Sequence, residues 1–365
     1  MSVLVECIEA HRLRVPLVRP YALSFGTLRD FELFLVRVRV GDREGLGDSV
    51  PLPGYSAESA DSVWARLQAA APALAGRDAG DALAALEAGR EREPFATAPL
   101  LTALESALEP RVPDAPAVVP LVGTVAGHDG EEAARDAARL LASGHRTLKV
   151  KVGWDPAEDA RRVGRVQAAV AGRAVLRVDA NQAWGPEQAH AFVEAVDPAG
   201  IELFEQPFPP AAWDAMAALA RISPLPLMLD ESIESEADLE RAIELRCADV
   251  VKFKLAKAGG RAALERLVGR ARDAGLKVVL GNGVAGDLEN LGELLVADRM
   301  IETTGEMNGF AKPATRLLRE PYELVEGSAV VPAGYVPEVD WERVAVHEVA
   351  SLAAGAGEPV TPRPR

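Results

Sequence analysis

Five polar residues close successive short apolar runs at nearly constant spacing, and this limits the architectures open to the chain. Lys151 ends LKVK, Asp179 ends LRVD, Glu205 ends ELFE, Asp230 ends LMLD and Lys254 ends VVKFK. The intervals are 28, 26, 25 and 24 residues, each about the length of one βα unit. Residues at the same phase of successive units project into one mouth of a parallel barrel, where such folds keep their chemistry.

The surrounding pattern agrees. Strands are expected near Leu121–Val125, Thr147–Val152, Val175–Val178, Ile201–Phe204, Leu227–Leu229, Val250–Lys254, Val278–Leu280 and Met300–Ile301. Amphipathic helical stretches fall between them, from Glu131–Ala142 to Leu288–Ala297. Near-continuous apolar strands alternating with helices imply a parallel sheet covered by helices, here an α/β TIM-like barrel. Residues 1–115 read instead as an α+β domain, with alternating runs such as Phe31–Val40 and Ala-rich helices. The proline-rich stretch Pro110–Pro120 reads as a linker, residues 116–320 as the barrel, and 321–365 as a segment that packs back on the first domain. A tail from about residue 353 reads as disordered.

Composition removes several function classes. The net charge of −15 argues against nucleic acid or an anionic membrane as partner. No apolar run reaches the roughly 20 residues that span a bilayer, and the opening MSVLVECIEAHRLRV does not read as a secretory signal. Cys7 and Cys247 are far apart and outside any CxxC pair, so a reducing cytoplasm is the expected location. The five histidines are not at strand ends and read as surface residues.

The strand-end residues carry a definite chemistry. Asp179, Glu205 and Asp230 form a hard, all-oxygen set that suits Mg²⁺, with Mn²⁺ as the alternative, and not zinc. Lys151 and Lys254 flank the carboxylates in strand order, each with a second lysine (Lys149, Lys252) two residues back on the same face. A lysine near a cation and other lysines has a depressed pKa and serves as a base. Removal of a proton α to a carboxylate fits these parts, with the metal stabilising the enediolate. Two lysines on opposite faces permit inversion of a stereocentre. Asn181, Gln206 and Glu231 adjoin the carboxylates as supporting residues. Phe25, Tyr55, Asn282, Glu302 and Glu306 are candidate substrate contacts.

The set LKVKVG, VDANQAW, FEQP, LDES and KFKLAKAGG resembles the enolase superfamily, in particular the muconate-lactonizing-enzyme subgroup. The resemblance extends to LSFGT and PLPGYSAES, which are similar to the family's capping-domain loops. It implies a modified (β/α)8 barrel of the (β/α)7β type, with an N-terminal capping domain completed by the C-terminal segment. It implies that Asp179, Glu205 and Asp230 are metal ligands, Lys151 and Lys254 the acid/base pair, and Lys149 a supporting lysine. Loops around Tyr21–Gly26 and Leu52–Tyr55 would close over a small-molecule carboxylate. A homo-oligomer is the implied assembly.

The sequence departs from parts of the superfamily. The seventh strand ends in VVLGNGVAGD without histidine, which disfavours the histidine-based subgroup. No Asp-x-Asp pair follows the eighth strand, against a dipeptide substrate. Lys252 stands where a small polar residue would be expected. The reading is therefore a racemase or epimerase of an amino-acid-derived or other α-substituted carboxylate. A muconate-type cycloisomerase or a syn-dehydrating lyase of the o-succinylbenzoate-synthase type would use the same site, and a non-catalytic metal scaffold is the remaining alternative.

Overall fold

The computed structural model describes residues 3–23, 26–52, 56–356 and 361–362. An N-terminal antiparallel sheet is built from β1 (Val5–Leu23), β2 (Gly26–Val40) and β3 (Arg43–Ser49). Helices α1 (Ala60–Leu74), α2 (Ala79–Glu87) and α3 (Pro94–Leu108) follow it in the chain. Val5, Ile8, Phe34, Val36 and Val38 pack with Val63, Leu67 and Leu101 into one core. Helix α3 lies close on β3 because glycine leaves room. A Cβ at Gly47 would sit 2.3 Å from the Pro99 carbonyl oxygen.

Seven parallel strands follow: β5 (Gly123–Val125), β6 (Thr147–Lys151), β7 (Val175–Asp179), β8 (Ile201–Glu205), β9 (Leu227–Leu229), β10 (Val250–Phe253) and β11 (Lys277–Leu280), after a short β4 (Ala117–Pro120). Between them run α4 (Gly130–Ala142), α5 (Pro156–Val170), α6 (Pro186–Ala195), α7 (Trp213–Ala220), α8 (Glu236–Leu245), α9 (Leu255–Ala258) and α10 (Arg261–Asp273), with α11 (Asp287–Met300) after β11. The two phases of each strand have different surroundings. Leu148, Val150, Leu176, Val178, Phe204, Leu229 and Val251 belong to the main hydrophobic core. The other phase carries Lys149, Lys151, Arg177, Asp179 and Glu205. Its apolar members Leu203, Met228 and Val250 form a separate small cluster with Val279. An alternation of this kind, apolar on one face and charged on the other, is what brings the strand-end groups together.

Three expectations change. The eighth strand is not at Met300–Ile301, because α11 runs through Met300 and the Ile301 amide still donates to Ala297 O at 2.9 Å. The good helix formers of LENLGELLVADRM outweigh the β-branched Ile301. The segment four residues later does the bridging. The Glu306 amide donates to Leu280 O (2.8 Å) and Val122 N to Gly305 O (2.9 Å), and Leu121 pairs with Gly305 in parallel. The Pro110–Pro120 stretch is not all linker, since β4 pairs with β13 (Ser328–Val331), itself paired with β12 (Glu323–Val325). Here the prolines lie at the strand's edges, where no ladder donor is needed. Order also extends past residue 353. After α12 (Trp341–His347), β14 (Glu348–Gly355) pairs with β1, from Cys7 opposite Gly355 to Leu13 opposite Glu348, and with β15 (Thr361–Pro362).

Helices α3, α10 and α11 have no side-chain cap of their own. Each borrows a carboxylate from elsewhere. Glu58 accepts from the Phe95 and Ala96 amides, Glu105 of α3 from Arg261 and Ala262, and Asp48 of β3 from Leu288 and Glu289. The last two join the N-terminal region to helices that cover the parallel sheet. Burial pushes all three carboxyls up, Asp48 to about 7.

Candidate active site

Strand register sets the site. Lys151, Asp179 and Glu205 are direct neighbours across β6, β7 and β8. Asp230 follows β9, and Lys254 follows β10. The turns after Asp179 and Glu205 are held in an unusual backbone conformation. Asn181 and Gln182 have φ of 43° and 67°, and Gln206 has φ of 38°. The Asn181 amide donates to Asp179 Oδ1 at 2.8 Å. The Gln206 side chain accepts from the Asp230 and Ser232 amides and donates to Ser232 Oγ and Phe208 O. Left-handed non-glycine residues persist only where neighbours over-determine them, as these hydrogen bonds do.

The four lysines thread between the carboxylates. Lys149 Nζ lies 2.9 Å from Asp179, 2.5 Å from Glu205 and 3.0 Å from Glu306. Lys252 Nζ lies 2.8 Å from Glu205, 3.1 Å from Asp230 and 2.7 Å from Glu306. Burial alone would lower both pKa values, yet the surrounding carboxylates win and raise them. These two amines are therefore fixed cations. Lys252, which had no clear role in the sequence, ties together three carboxylates.

Lys151 and Lys254 stand at opposite ends of the row. Lys151 Nζ donates to Asp179 Oδ2 at 2.6 Å and to Asn181 Oδ1. Lys254 Nζ donates to Asp230 Oδ1 at 2.6 Å. Lys151 is 38% exposed at its side chain and Lys254 only 8%. Burial, with Lys257 adding repulsion, depresses the Lys254 ammonium well below the ordinary lysine range. Asp179 is the reverse case: burial would raise it, but Lys149 and Lys151 hold it below the usual carboxylate range. Burial and the Asp179 charge push Glu205 up to about 8, and burial with Asp230 pushes Glu231 up to about 7. Glu231 is also reached by Asn181 Nδ2 at 3.2 Å.

Other candidates fall in different places. Glu306 is inside the cluster and not at its rim. It bonds Lys149 and Lys252 and lies 3.4 Å from Arg177 Nη1, and these cations outweigh its burial and keep it well below the usual range. Glu302 is exposed, one residue before Thr303, whose hydroxyl binds Val278 O near the start of β11. It therefore stands toward the far end of the sheet from Lys254. Asn282 is turned into the protein, donating to Glu289 Oε1 and accepting from the Val284 amide, both at 2.9 Å. Phe25 and Tyr55 lie outside the described residues. Two of the histidines read as surface residues are buried: His145 bonds Leu121 O and His11 pairs with Glu348. Arg177, fully buried, was missed, although it sits two residues before Asp179 on the same strand face.

Asp179, Glu205 and Asp230 are the donor set open to a divalent cation. Among the described residues no three His, Cys, Asp or Glu side chains stand together as a ready cage. Lysine amines fill the space between Asp179, Glu205 and Asp230. The chemistry still fits. The three groups are buried oxygen donors on adjacent strands, each balanced by a lysine ammonium. A hard, all-oxygen set of this kind suits a divalent cation, which would take over that charge balance.

Comparison with known proteins places the chain in a family. Residues 132–337 match the family model described as enolase C-terminal domain-like. Muconate cycloisomerase 1 of Pseudomonas putida is 32% identical, over 80% of this chain and 83% of its own. The N-succinyl-L-Arg/Lys racemase of Bacillus cereus is 26% identical, over 84% and 87%. The crystal structure of muconate lactonizing enzyme from Pseudomonas fluorescens complexed with muconolactone superposes with a TM-score of 0.85 at 29% identity, covering 95% of this chain and all of that one. Members of this superfamily use a divalent metal, typically Mg²⁺. The chain thus belongs to the enolase superfamily, in its muconate-lactonizing-enzyme subgroup, and is one of that superfamily's isomerases.

Proposed function

We propose that this protein racemises or epimerises an α-substituted carboxylate, with Lys151 and Lys254 as the two acid/base groups. Asp179, Glu205 and Asp230 would hold Mg²⁺, or Mn²⁺ in its place. When bound, such a cation supplies Lewis-acid stabilisation for the negative charge that develops on the substrate carboxylate. The observation that carries the reading is the placement of the two rim lysines, one on Asp179 and one on Asp230, at opposite ends of the carboxylate row. A substrate carbon between them has an amine on each face. One amine takes the α-proton and the other returns a proton to the opposite face. Lys149 and Lys252 keep their protons and bridge the carboxylates. Their neighbours Asn181, Gln206 and Glu231 fix the turns. The parallel sheet, closed by the Gly305–Glu306 segment, is read as a (β/α)7β barrel. Two free cysteines suit a cytoplasmic enzyme. A homo-oligomer is the assembly expected from the subgroup.

The test is α-proton exchange in D₂O followed by NMR, with Mg²⁺ and a library of chiral carboxylates. Lys151→Ala and Lys254→Ala should each abolish exchange from one stereoisomer, a loss of about 10²–10⁴-fold. A wild type that exchanges no member of the library would sink the reading. A second reading is cycloisomerisation, favoured by the likeness to the Pseudomonas putida muconate cycloisomerase. It would give a lactone, and a syn-dehydrating lyase would give a new double bond. Racemisation or epimerisation changes only the configuration at the α-carbon and gives neither product.

A further inference from the structure

The turn that carries Lys254 is braced by two carboxyls that take no part in the carboxylate row. Lys254 leads into the short helix α9, which has no side-chain cap of its own. The brace comes from α11. The Leu255 amide donates to Glu293 Oε1 at 2.9 Å. Glu289, one turn earlier on α11, faces the next amide, that of Ala256, whose dipole works against the burial of the carboxyl. Asn282 Nδ2 donates to Glu289 Oε1 and Asn290 Nδ2 to Glu293 Oε2, both at 2.9 Å. The Phe310 amide closes the set on Asn290 Oδ1, also at 2.9 Å. Helix α11 comes this near because residue 292 is glycine, where a Cβ would stand 2.6 Å from Leu255 Cδ1.

Glu289, Asn290 and Glu293 are fully buried. Burial pushes the Glu293 carboxyl up to about 7, and burial with the Glu293 charge pushes Glu289 well above the usual carboxylate range. Two such groups one turn apart on a helix work against each other, and an apolar pair would fill the space at less cost. What the pair supplies is acceptors for the loops after β10 and β11. Lys151 has a separate brace. Arg162 Nη2 donates to Lys151 O at 2.6 Å, and Asp159 accepts from the Gly153 and Trp154 amides, both at 2.9 Å. The two rim lysines are thus fixed by different parts of the molecule. We propose that Glu293 and Glu289 are positioning residues for Lys254: they set the backbone from which its amine reaches the substrate, and they act on that face of the substrate alone. This rests on the function proposed above for the two rim lysines.

The test compares Glu293→Met with Glu293→Gln, which keeps an acceptor for the Leu255 amide. α-Proton exchange in D₂O is followed by NMR on the full chain with Mg²⁺, using each pure stereoisomer of the carboxylate that wild type exchanges fastest. Glu293→Met should slow the isomer whose exchange Lys254→Ala abolishes by about tenfold to a hundredfold, as a displaced catalytic group does, and leave the other isomer within about twofold. Glu293→Gln should lie much nearer wild type. Equal slowing of both isomers, slowing of neither, or a Glu293→Gln variant as slow as Glu293→Met overturns the proposal. Hydrogen exchange of the backbone amides gives a second readout that needs no substrate. Glu293→Met should lower protection of the Leu255 and Ala256 amides by about tenfold and leave Lys151 and Val152 as in wild type. Unchanged protection at Leu255 overturns the brace whatever the catalysis. Protection lost at that turn alone, in a protein whose wild type exchanges no α-proton, would overturn the catalytic reading and leave the brace standing. Equal slowing of both isomers would do the opposite.

Discussion

The lysines of the mouth divide into two kinds by what encloses them. Lys149 and Lys252 each touch three carboxylates, with Glu306 common to both. Glu306→Gln removes one of the three carboxylates that each of these buried cations touches. Breaking a buried pair from one side costs about 3–5 kcal/mol, so this variant should show a clearly lower urea midpoint, even at neutral pH. Lys312, whose amine donates to Gly283 O and Asn308 Oδ1 and lies 4.5 Å from the centre of the Tyr21 ring, is expected to act in the opposite sense. Its folded pKa of about 7 lies below its unfolded value, so the unfolded chain binds more protons between the two. Stability therefore rises with pH through that window, and Lys312→Met should be more stable than wild type by about 1–3 kcal/mol at pH 7 and below, with the gain fading towards pH 10. Unfolding curves at several pH values check both sign and window. The strand-end residues were legible in the sequence because a fixed phase on regular strands dictates where a side chain points. Arg177 shared that phase and was readable. The place of Glu306 among the lysines was not readable, because its segment bridges without the alternation of a strand. Lys312 gave no signal, since its partners are a backbone carbonyl, an amide and a ring from distant parts of the chain.

At the scale of elements, helix and strand positions followed the apolar periodicity closely, and the misses came at ends. Met300–Ile301 was taken for a strand because two apolar residues look alike in either structure. The helix won because its preceding turns were already formed. What could not be read was how helices begin. Ser59 and Asp129 cap their own helices in the ordinary local way. Helices α10 and α11 instead take carboxylates from over 150 and 240 residues away. No local pattern reports such a partner. Asp48→Ala and Glu105→Ala should each lower stability by about 1–2 kcal/mol, as loss of an N-terminal acceptor does. Gly47→Ala should cost more, because its methyl would press on the α3 backbone and not on a movable side chain. Thermal melts of the three variants give the ranking.

The whole molecule is tied together by these borrowed caps and by the Tyr21–Lys312 contact. A fragment of residues 116–320 would lose Asp48, Glu105 and Tyr21 at once. It is expected to melt without a cooperative transition, which circular dichroism would reveal. The division into a sheet-rich N-terminal part and a repeating barrel was readable from composition and spacing. The return of the chain to its beginning was only sketched, because antiparallel partners over 300 residues apart leave no joint pattern in sequence. That return has a consequence during synthesis. The outer edge of β1 is completed by β14, from Cys7 opposite Gly355 onward. On the ribosome, β1 emerges long before β14 and waits while the parallel strands between them are made. For that interval it offers a long unpaired backbone edge, the kind that other nascent chains can capture. A burst of translation on one messenger would then raise the risk of misassembly between neighbouring chains, and slower elongation or chaperone cover of that edge would improve the yield of active enzyme.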